Sequence, residues 1–473
     1  MADDGDSAAD VYDVYDVAVI GAGVVGTAVA RLLSHYRLSV ALIDAEADVG
    51  TGTSKANTAI LHTGFDATPG SLESRLVARG YELLSAYGPS VGIAIEHTGA
   101  VLVAWDDEQA MSLPKLAARA AANGYGSTEI IDAATVYHLE PHLGPGATAG
   151  MVVPDEHIID PWAAPLSYAR EAIANGVTWL PNHRVTKLEV ADDTTLLTTS
   201  PGEGLRARFI VNAAGLYSDA INELFGLDSF TVRPRRGELI VFDKLARPLL
   251  NRTVLPVPTA HTKGVLVAPT VYGNIMLGPT AEDIDDKTAT GSTRHGLDDL
   301  LAKGRRIVPA LLTEEVTAVY AGLRAATQHP DYQIEHHRDL RYVCLGGIRS
   351  TGLTASMALA EEALARLVEC GLEADPKDAD QLRSIRVTNL GEAFERPYQM
   401  GGSGPIVCHC ERVTHDEIHD ACTNLPPATT LDGVRRRTRA LAGRCQGFYC
   451  SAEVCAVAAA VGDRTMAEWL GVS

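Results

Sequence analysis

The first strongly patterned part of the chain alternates two buried strands with one helix. Val14–Ile20 is an almost continuous run of apolar and β-branched residues, which predicts a buried strand. A glycine-rich turn follows at residues 21–26, and residues 27–35 then predict a helix. A second buried strand is predicted at residues 39–43, ending at Asp44. This βαβ order, with an acidic residue about twenty positions after the glycines, is typical of a dinucleotide-binding domain of the Rossmann type.

Later segments indicate that the chain leaves this domain and returns to it. Residues 175–177, 184–190 and 209–215 predict a turn and strands that resume the nucleotide domain. Residues 95–103 and 238–278 instead alternate apolar and polar positions between Gly and Pro turns, which is typical of an antiparallel sheet. The expected fold class is therefore α/β, with a discontinuous Rossmann-type domain and an inserted antiparallel-sheet domain that binds the substrate.

The last part of the chain predicts one more crossing of the nucleotide domain and then a small separate domain. Residues 344–354 predict a strand, a Gly-rich turn and the start of a helix, which residues 355–370 continue. A charged stretch and a polar connection then run to Pro405 and predict a domain boundary. The segment from residue 406 to about residue 465 is short for an independent core, so a metal staple is expected to help it fold.

Length and charge narrow the class of protein. A chain of 473 residues, 46% of them apolar, is expected to form more than one domain. The net charge of −20 argues against binding nucleic acid, because phosphate binding needs clustered Lys and Arg. No uninterrupted apolar run reaches the ~18 residues of a membrane span, so membrane contact is expected to be peripheral at most. The acidic first residues lack the features of a secretory signal, which predicts a cytoplasmic location, with contact to the inner face of the cell membrane left open.

Each glycine of the turn has its own expected role. Gly21 permits a tight turn, Gly23 lets a pyrophosphate approach the backbone, and Gly26 lets the helix pack against the strand. Free N–H groups at the start of the helix would bind the phosphates, and Asp44 would bind ribose hydroxyls. This loop alone does not separate FAD from NAD.

Three further segments distinguish FAD from NAD through their resemblance to a known family. Residues 52–66 (GTSKANTAILHTGFD), 211–219 (VNAAGLYSD) and 347–355 (GIRSTGLTA) resemble the flavin-site segments of the D-amino-acid-oxidase-like (DAO) superfamily of FAD-dependent oxidoreductases, in the same order. The resemblance implies bound FAD. The residues that it and the glycine turn together predict as cofactor contacts are Gly21, Gly23, Val25, Gly26, Asp44, Ala45, Thr53, Ser54, Asn57, Val185, Ala213, Gly215, Gly347, Gly352, Leu353 and Thr354.

Shorter segments point to one branch of that superfamily. Residues 69–72, 237–238 and 277–281 are similar to FAD-dependent glycerol-3-phosphate dehydrogenases and L-2-hydroxyglutarate dehydrogenases. The chain departs from the aerobic glycerol-3-phosphate enzymes at residues 62–66, where HTGFD replaces their His-Gly-Gly-x-Arg-Tyr run. The resemblance implies oxidation of a small anionic hydroxy compound, foremost sn-glycerol 3-phosphate to dihydroxyacetone phosphate. An L-2-hydroxy acid such as L-2-hydroxyglutarate, or an amino acid, is the alternative substrate.

Three residues are candidates for the substrate chemistry. Hydride removal from an alcohol needs a base beside the carbinol, and His62 is that candidate because imidazole titrates near neutrality. The alternative is a histidine that only packs against the flavin. Arg324 matches an arginine that in this superfamily often meets an anionic substrate group, with a surface or inter-domain ion pair as the alternative. Lys263 is a second candidate anchor, with a solvated side chain as its alternative.

The cysteines concentrate at the end of the chain. Six of the eight lie within the last seventy residues, and four of these form two close pairs, Cys408 with Cys410 and Cys445 with Cys450. In a cytosolic chain this pattern favours a metal or redox site over disulfides. Four Cys thiolates hold iron–sulfur clusters, whereas neither pair has the spacing usual for structural zinc. A zinc site or free thiols are the alternatives.

The sequence around these cysteines carries a second resemblance. Residues 407–411, 432–438 and 443–450 resemble the [2Fe-2S] domain of bacterioferritin-associated ferredoxin (BFD), which implies a cluster held by the four paired cysteines. Cys422 and Cys455 lie outside the pattern and are expected to be core or helix cysteines.

A basic run accompanies the cysteine pattern in this acidic chain. It consists of Arg435, Arg436, Arg437, Arg439 and Arg444. A solvated helix face is the favoured interpretation. Docking of an acidic partner, or compensation of the cluster's negative charge, is the alternative.

Flavin and cluster together imply a particular flow of electrons. A flavin takes two electrons at once and a [2Fe-2S] cluster passes one, so electrons are expected to leave through the cluster to a quinone or an electron-transfer protein, as in a dehydrogenase. A purely structural cluster, or a non-catalytic electron-transfer subunit of a larger complex, is the alternative, and an oligomer is left open. The expected division is 1–90, 146–230 and 320–375 for the FAD-binding domain, 91–145 and 231–319 for the substrate domain, 376–404 for a linker and 405–465 for the small helical [2Fe-2S] domain.

Overall fold

The computed structural model describes residues 12–200, 202–258, 264–461 and 464–471. Its strands in chain order are β1 (Val14–Ile20), β2 (Val40–Ile43), β3 (Ile60–Leu61), β4 (Ile95–Glu96), β5 (Ala100–Ala104), β6 (Glu129–Asp132), β7 (Ala149–Val153), β8 (His157–Ile159), β9 (Thr178–Leu180), β10 (Arg184–Val190), β11 (Thr195–Ser200), β12 (Gly204–Asn212), β13 (Arg235–Phe242), β14 (Thr253–Pro256), β15 (Leu266–Pro269), β16 (Ile275–Gly278), β17 (Glu282–Asp283), β18 (Val316–Arg324), β19 (Gln333–His337), β20 (Tyr342–Gly346), β21 (Ile406–Cys408) and β22 (Val413–Thr414). Its α-helices are α1 (Val24–Leu33), α2 (Leu72–Val91), α3 (Asp107–Ala122), α4 (Ala133–Leu139), α5 (Ala163–Ala174), α6 (Ser218–Leu224), α7 (Arg294–Ile307), α8 (Gly352–Glu369), α9 (Pro397–Met400), α10 (His415–Thr423), α11 (Leu431–Thr438), α12 (Ser451–Val461) and α13 (Met466–Leu470).

The first sheet is the predicted nucleotide-binding sheet. Strands β9, β2, β1, β12 and β20 run parallel in that order, and β10 and β11 extend it antiparallel from β12. Helices α1, α5 and α8 pack together on one face, where the apolar residues of β1 and β2 are buried. Because α1 connects the neighbouring parallel strands β1 and β2, the sheet contains the βαβ unit expected from the sequence pattern. The α/β fold class is confirmed.

The first helix begins three residues earlier than the pattern predicted. Gly23 adopts an extended conformation and caps a helix that starts at Val24 rather than at Thr27. The N–H of Val24 is not lost, since it donates to Ser54 Oγ at 2.9 Å. The start of α1 is thereby tied to the loop that follows β2.

The second sheet is predominantly antiparallel and extends further along the chain than expected. Its order is β17-β13-β16-β15-β14-β5-β7-β6, with β18 paired to β13. Strand β7 lies beyond the expected boundary at residue 146, and β18 crosses the expected boundary at residue 320. Both strands pair with members of this sheet, so pairing between distant strands, which the linear pattern did not reveal, moves those two boundaries.

The C-terminal segment forms a small domain with its own core. A hairpin of β21 and β22 precedes α10, which begins with a capping box between Thr414 and Glu417. Helices α10, α11, α12 and α13 surround a compact apolar cluster that includes Val413, Ile418 and Val454. In the described part of the chain, no helix is both long enough and apolar enough to cross a membrane.

Candidate active site and iron–sulfur site

A large cavity lies between the two sheets. Its volume is about 1130 Å³, above the range of roughly 300–1,000 Å³ usual for pockets of drug-sized ligands, as a dinucleotide with a substrate requires. The ends of β1 and β2 and the first turns of α1 and α8 line one side, and β13, β15 and β18 line the other. The predicted FAD contacts that line it are Gly21, Gly23, Val25, Asp44, Ala45, Thr53, Ser54, Asn57, Val185, Ala213, Gly215, Gly347, Gly352 and Leu353. Gly26 and Thr354 are buried and do not line it.

The glycine turn has the close packing expected of a phosphate-binding loop. Gly21 has φ of +102°, and a Cβ there would lie 2.5 Å from the carbonyl oxygen of Ala213. A Cβ at Gly26 would lie 1.8 Å from the carbonyl oxygen of Gly21. Neither position admits a side chain, so the helix N-terminus stays close to the strand, and its first residues line the cavity.

Asp44 is held at the end of β2 by the backbone. Its Oδ2 accepts from the N–H of Ala22 at 2.5 Å, and its Oδ1 accepts from the N–H of Glu46 at 2.8 Å. Burial raises the pKa of Asp44, and these two hydrogen bonds oppose the rise. The carboxylate is therefore fixed where the ribose of a dinucleotide would meet it.

The loop between β2 and β3 is shaped by its own side chains. Asn57 Nδ2 donates to the carbonyl of Ser54 at 2.8 Å, and its Oδ1 accepts from the N–H of Ala59 at 2.7 Å. Thr53 Oγ1 donates to the carbonyl of Leu323 at 2.9 Å, which ties the loop to β18 of the second sheet. These contacts fix the wall of the cavity against both sheets.

His62 lies at ion-pair distance from the carboxylate of Glu156, a residue that the sequence did not indicate. Nδ1 of His62 lies 2.6 Å from Oε1 of Glu156, which is 1% exposed. The other oxygen, Oε2, accepts from the N–H of Thr63 at 2.7 Å and from its hydroxyl at 3.0 Å. The N–H of His62 donates to Thr354 Oγ1 at 3.0 Å. A carboxylate at Nδ1 keeps the proton on that nitrogen, so Nε2 is the proton-accepting atom of the ring.

Arg324 lies in the cavity wall on the substrate-domain side. Its neighbour on β13, Arg235, is bound through two nitrogens to Asp283 at 2.6 and 3.0 Å. Among the described residues, no carboxylate lies within ion-pair distance of Arg324, whose Nη1 donates only a long bond to the carbonyl of Thr280 at 3.4 Å. Burial and the charge of Arg235 lower the pKa of Arg324 to about 10. The positive charge of this guanidinium is therefore not neutralised by a described carboxylate and can bind an anion. The other predicted anchor, Lys263, lies outside the described residues.

The four paired cysteines meet across two loops of the C-terminal domain. Cys408 contacts Cys450, and Cys410 contacts Cys445. The contact with Cys450 and N–H donors at residues 411 and 441 lower the pKa of Cys408 to about 6, although burial acts in the opposite direction. Non-glycine residues with positive φ at positions 412, 439, 441 and 446 shape these loops.

The donor set fits a two-iron cluster better than a single ion. Within the described ranges, no group of three or more His, Cys, Asp and Glu side chains is placed to hold one metal ion. Two pairs of sulfurs instead suit two irons, each with two thiolates. Of the remaining cysteines in this domain, Cys455 is buried in α12 and Cys422 lies in α10 outside the sulfur pairs, as expected.

The favoured interpretation of the basic run as a solvated helix face was wrong. Arg436 and Arg437 are 6% and 7% exposed and converge on Asp48, which is 2% exposed. Asp48 Oδ2 accepts from Arg436 Nη2 at 2.7 Å and from Arg437 Nη1 at 2.6 Å, and Oδ1 accepts from Arg437 Nη2 at 2.6 Å. Arg444 is exposed and binds Asp243 of the second sheet at 2.9 Å. Arg436, Arg437 and Arg444 therefore dock the C-terminal domain onto the other two domains, through Asp48 and Asp243.

Comparison with known proteins gives consistent matches. A family model described as "FAD dependent oxidoreductase" (DAO) matches residues 16–366, and a model of the BFD-like [2Fe-2S] binding domain matches residues 406–459. The chain is 34% identical over 450 residues to a glycerol 3-phosphate dehydrogenase of Caloramator mitchellensis, covering 93% of each protein. It is 29% identical over 283 residues to a mitochondrial L-2-hydroxyglutarate dehydrogenase of Bos taurus, covering 56% of this chain and 61% of that one.

A solved structure matches in the same way. Dithionite-reduced L-alpha-glycerophosphate oxidase from Mycoplasma pneumoniae with FAD bound has a TM-score of 0.74 and 31% identity, covering 78% of this chain and 98% of that chain. Fold, cavity and matches together define an FAD-dependent oxidoreductase whose cofactors are FAD and a [2Fe-2S] cluster. More particularly, the chain belongs to the DAO family, joined to a BFD-like domain.

Proposed function

We propose that this enzyme is a glycerol-3-phosphate dehydrogenase. It oxidises sn-glycerol 3-phosphate to dihydroxyacetone phosphate, and the electrons leave through the [2Fe-2S] cluster to a quinone or a protein acceptor. The observation that carries the proposal is that the His62–Glu156 pair and the un-neutralised Arg324 line one cavity. An acid–base group and an anion anchor are the two features that oxidation of an anionic alcohol needs.

The residues divide the chemistry between them. Bound FAD supplies the hydride acceptor. Arg324 binds the phosphate of the substrate, with Lys263 as a second anchor. Nε2 of His62 accepts the proton of the substrate hydroxyl, and the carboxylate of Glu156 stabilises the imidazolium that forms. The positive ends of α1 and α8 face the cavity and favour the negative charges of FAD.

The proposal keeps the predicted FAD contacts and enlarges the predicted substrate domain. All sixteen predicted contact positions are proposed to hold FAD; fourteen of them line the cavity, and the other two are buried. The substrate domain takes in β7 and all of β18, which pair with its sheet. Residues 405–465 are proposed as the domain that holds the cluster.

An L-2-hydroxy acid is the second candidate substrate. A guanidinium fork binds a carboxylate as readily as a phosphate, and one of the similar proteins is named an L-2-hydroxyglutarate dehydrogenase. The geometry of Arg324 does not distinguish the two anions. Glycerol 3-phosphate takes precedence because the similarity to a glycerol 3-phosphate dehydrogenase spans 93% of both chains.

Anaerobic bleaching of the flavin tests the proposal directly. We expect glycerol 3-phosphate to bleach the flavin absorbance of the holoenzyme, and L-2-hydroxyglutarate and L-proline to do so far more slowly. Faster bleaching by L-2-hydroxyglutarate would replace the first candidate with the second. Bleaching by none of them would support a non-catalytic electron-transfer subunit. We expect His62→Ala to keep FAD and slow the bleaching by about 10²–10⁴-fold, the usual contribution of a general base.

A further inference from the structure

A packed row of side chains joins the cavity wall to the cysteine loops. It begins at Trp162, whose Nε1–H donates to the carbonyl of Lys55 at 3.0 Å. The neighbours of Lys55 on both sides, Ser54 and Ala56, line the cavity. The ring of Trp162 stacks on that of Tyr272, with 5.3 Å between the ring centroids. The first part of the row therefore leads from the flavin cavity into the protein.

Arg439 continues the row to the cluster. Its guanidinium carbon lies 4.2 Å from the ring centroid of Tyr272 and 5.7 Å from that of Trp162. Its Nε donates to Oε2 of Glu411 at 3.2 Å. The backbone N–H of Glu411 in turn hydrogen-bonds the sulfur of Cys408. Each member contacts the next, so the row is unbroken from cavity to cysteine.

Trp162 is half-buried, and beyond it water is largely kept from the row. Tyr272 and Arg439 are each 6% exposed, and Glu411 is 2% exposed. The hydroxyl of Tyr272 donates to Asp160 at 2.6 Å, and Asp160 is fully buried. Burying so many polar groups adds little or nothing to stability compared with apolar residues of similar volume. A role other than stability therefore accounts better for this junction.

We propose that Trp162, Tyr272 and Arg439 form the path by which electrons pass from the flavin cavity to the iron–sulfur cluster. The direction of electron transfer, from flavin to cluster, rests on the proposed function. Each oxidised substrate delivers two electrons with its hydride. A [2Fe-2S] cluster held by the four cysteines would pass them on one at a time to the quinone or protein acceptor, and the two protons, one from the hydride and one from the hydroxyl, would go to the quinone or, with a protein acceptor, to water.

The chemistry of the row suits this task. Electronic coupling falls steeply with each through-space gap between side chains. The two stacked rings and the guanidinium packed on them are in contact, so no such gap separates them. The buried positive charge of Arg439 also stabilises the reduced, more negative cluster, because charge and hydrogen bonds around the sulfurs set its potential. Glu411 faces Lys244 at 3.0 Å as well as Arg439, so two cations meet one carboxylate beside the cluster.

Light-driven reduction of the holoenzyme tests the path without any substrate. Light excites the bound flavin itself, which EDTA as the electron donor then reduces anaerobically, and the electron paramagnetic resonance signal of the reduced cluster is followed in time. We expect Trp162→Leu to slow cluster reduction about tenfold or more, a barrier increase of about 1.4 kcal/mol, with cluster content and potential unchanged. Trp162→Phe, which keeps a ring, is the matched control and should stay close to the wild-type rate. An unchanged rate in Trp162→Leu would overturn the path.

Arg439 gives a second and independent readout. We expect Arg439→Gln to lower the midpoint potential of the cluster, and Arg439→Lys, which keeps the charge but not the planar stack, to preserve the potential and slow the transfer. Arg464→Gln removes an exposed charge of the same domain and should change neither quantity. If Arg439→Gln leaves the midpoint potential of the cluster unaltered, the proposed role of Arg439 in the path is wrong. Failure of glycerol 3-phosphate to reduce the flavin would contradict only the proposed function, since EDTA supplies the electrons in this experiment.

Discussion

Removing the carboxylate of Asp48 is expected to undock the C-terminal domain. In Asp48→Ala, the guanidinium groups of Arg436 and Arg437 stay buried at 6% and 7% exposure and lose three hydrogen bonds of 2.6–2.7 Å. Breaking a buried ion pair by deleting one partner costs about 3–5 kcal/mol. Every 1.4 kcal/mol is a factor of ten, so the undocked population should rise about 100- to 4,000-fold.

Hydrogen exchange measures this change site by site. Amides of α11 and of residues 48–51 should lose protection by that factor, while amides of β1 keep theirs. Asp285→Ala is the control, because Asp285 is 89% exposed and its ion pair with Arg233 should contribute less than about 1 kcal/mol. Adding Arg436→Met and Arg437→Met to Asp48→Ala should restore much of the protection. A loss in Asp48→Ala no larger than that in the control would refute the reasoning.

Four other outcomes follow from the site. Cys408→Ser should abolish the visible absorbance of the cluster while FAD remains bound, because the two cofactors lie in separate cores, whereas Cys422→Ser should keep both. The pKa of Asp44 is raised in the folded apoprotein, so the protein loses stability as pH rises through that folded pKa. Asp44→Asn should remove this pH dependence of stability, measured by calorimetry, and weaken FAD binding. Glu156→Gln should lower kcat and move the pH–rate profile with little effect on KM, and an unchanged profile would contradict its role beside the base. Arg324→Lys should raise KM for glycerol 3-phosphate about 10- to 150-fold, the range of a lost hydrogen bond to a charged group, and leave light-driven flavin reduction unaltered.

Local patterns in the sequence predicted the parts of the molecule that depend on neighbouring residues. The strand β1, the glycine turn and Asp44 lie within one βαβ unit, so their spacing defines their geometry. The two cysteine pairs are similarly local. His62 and Arg324 came from the resemblance rather than from any periodicity, and their roles stay predictions.

Long-range contacts account for what the sequence did not reveal. Glu156 lies 94 residues from His62, in a turn between two apolar strands where an acidic residue gives no signal of its partner. The arginines of α11 looked solvated because a charged helix face is usually exposed, and only the folded chain brings Asp48 against them. In the sequence, Trp162 and Tyr272 carry no signal that distinguishes them from other apolar positions. Only the folded chain stacks them beside Arg439.

The contact between Asp48 and Arg437 also bears on the order of events during synthesis. The two residues are 389 positions apart, so at about 5–20 residues per second the ribosome needs roughly 20–80 s to follow the first with the second. During that interval Asp48 lacks the two arginines that later bind it. Every described residue that lines the cavity lies before residue 354, so the FAD-binding part of the chain is synthesised before the C-terminal domain that docks on Asp48.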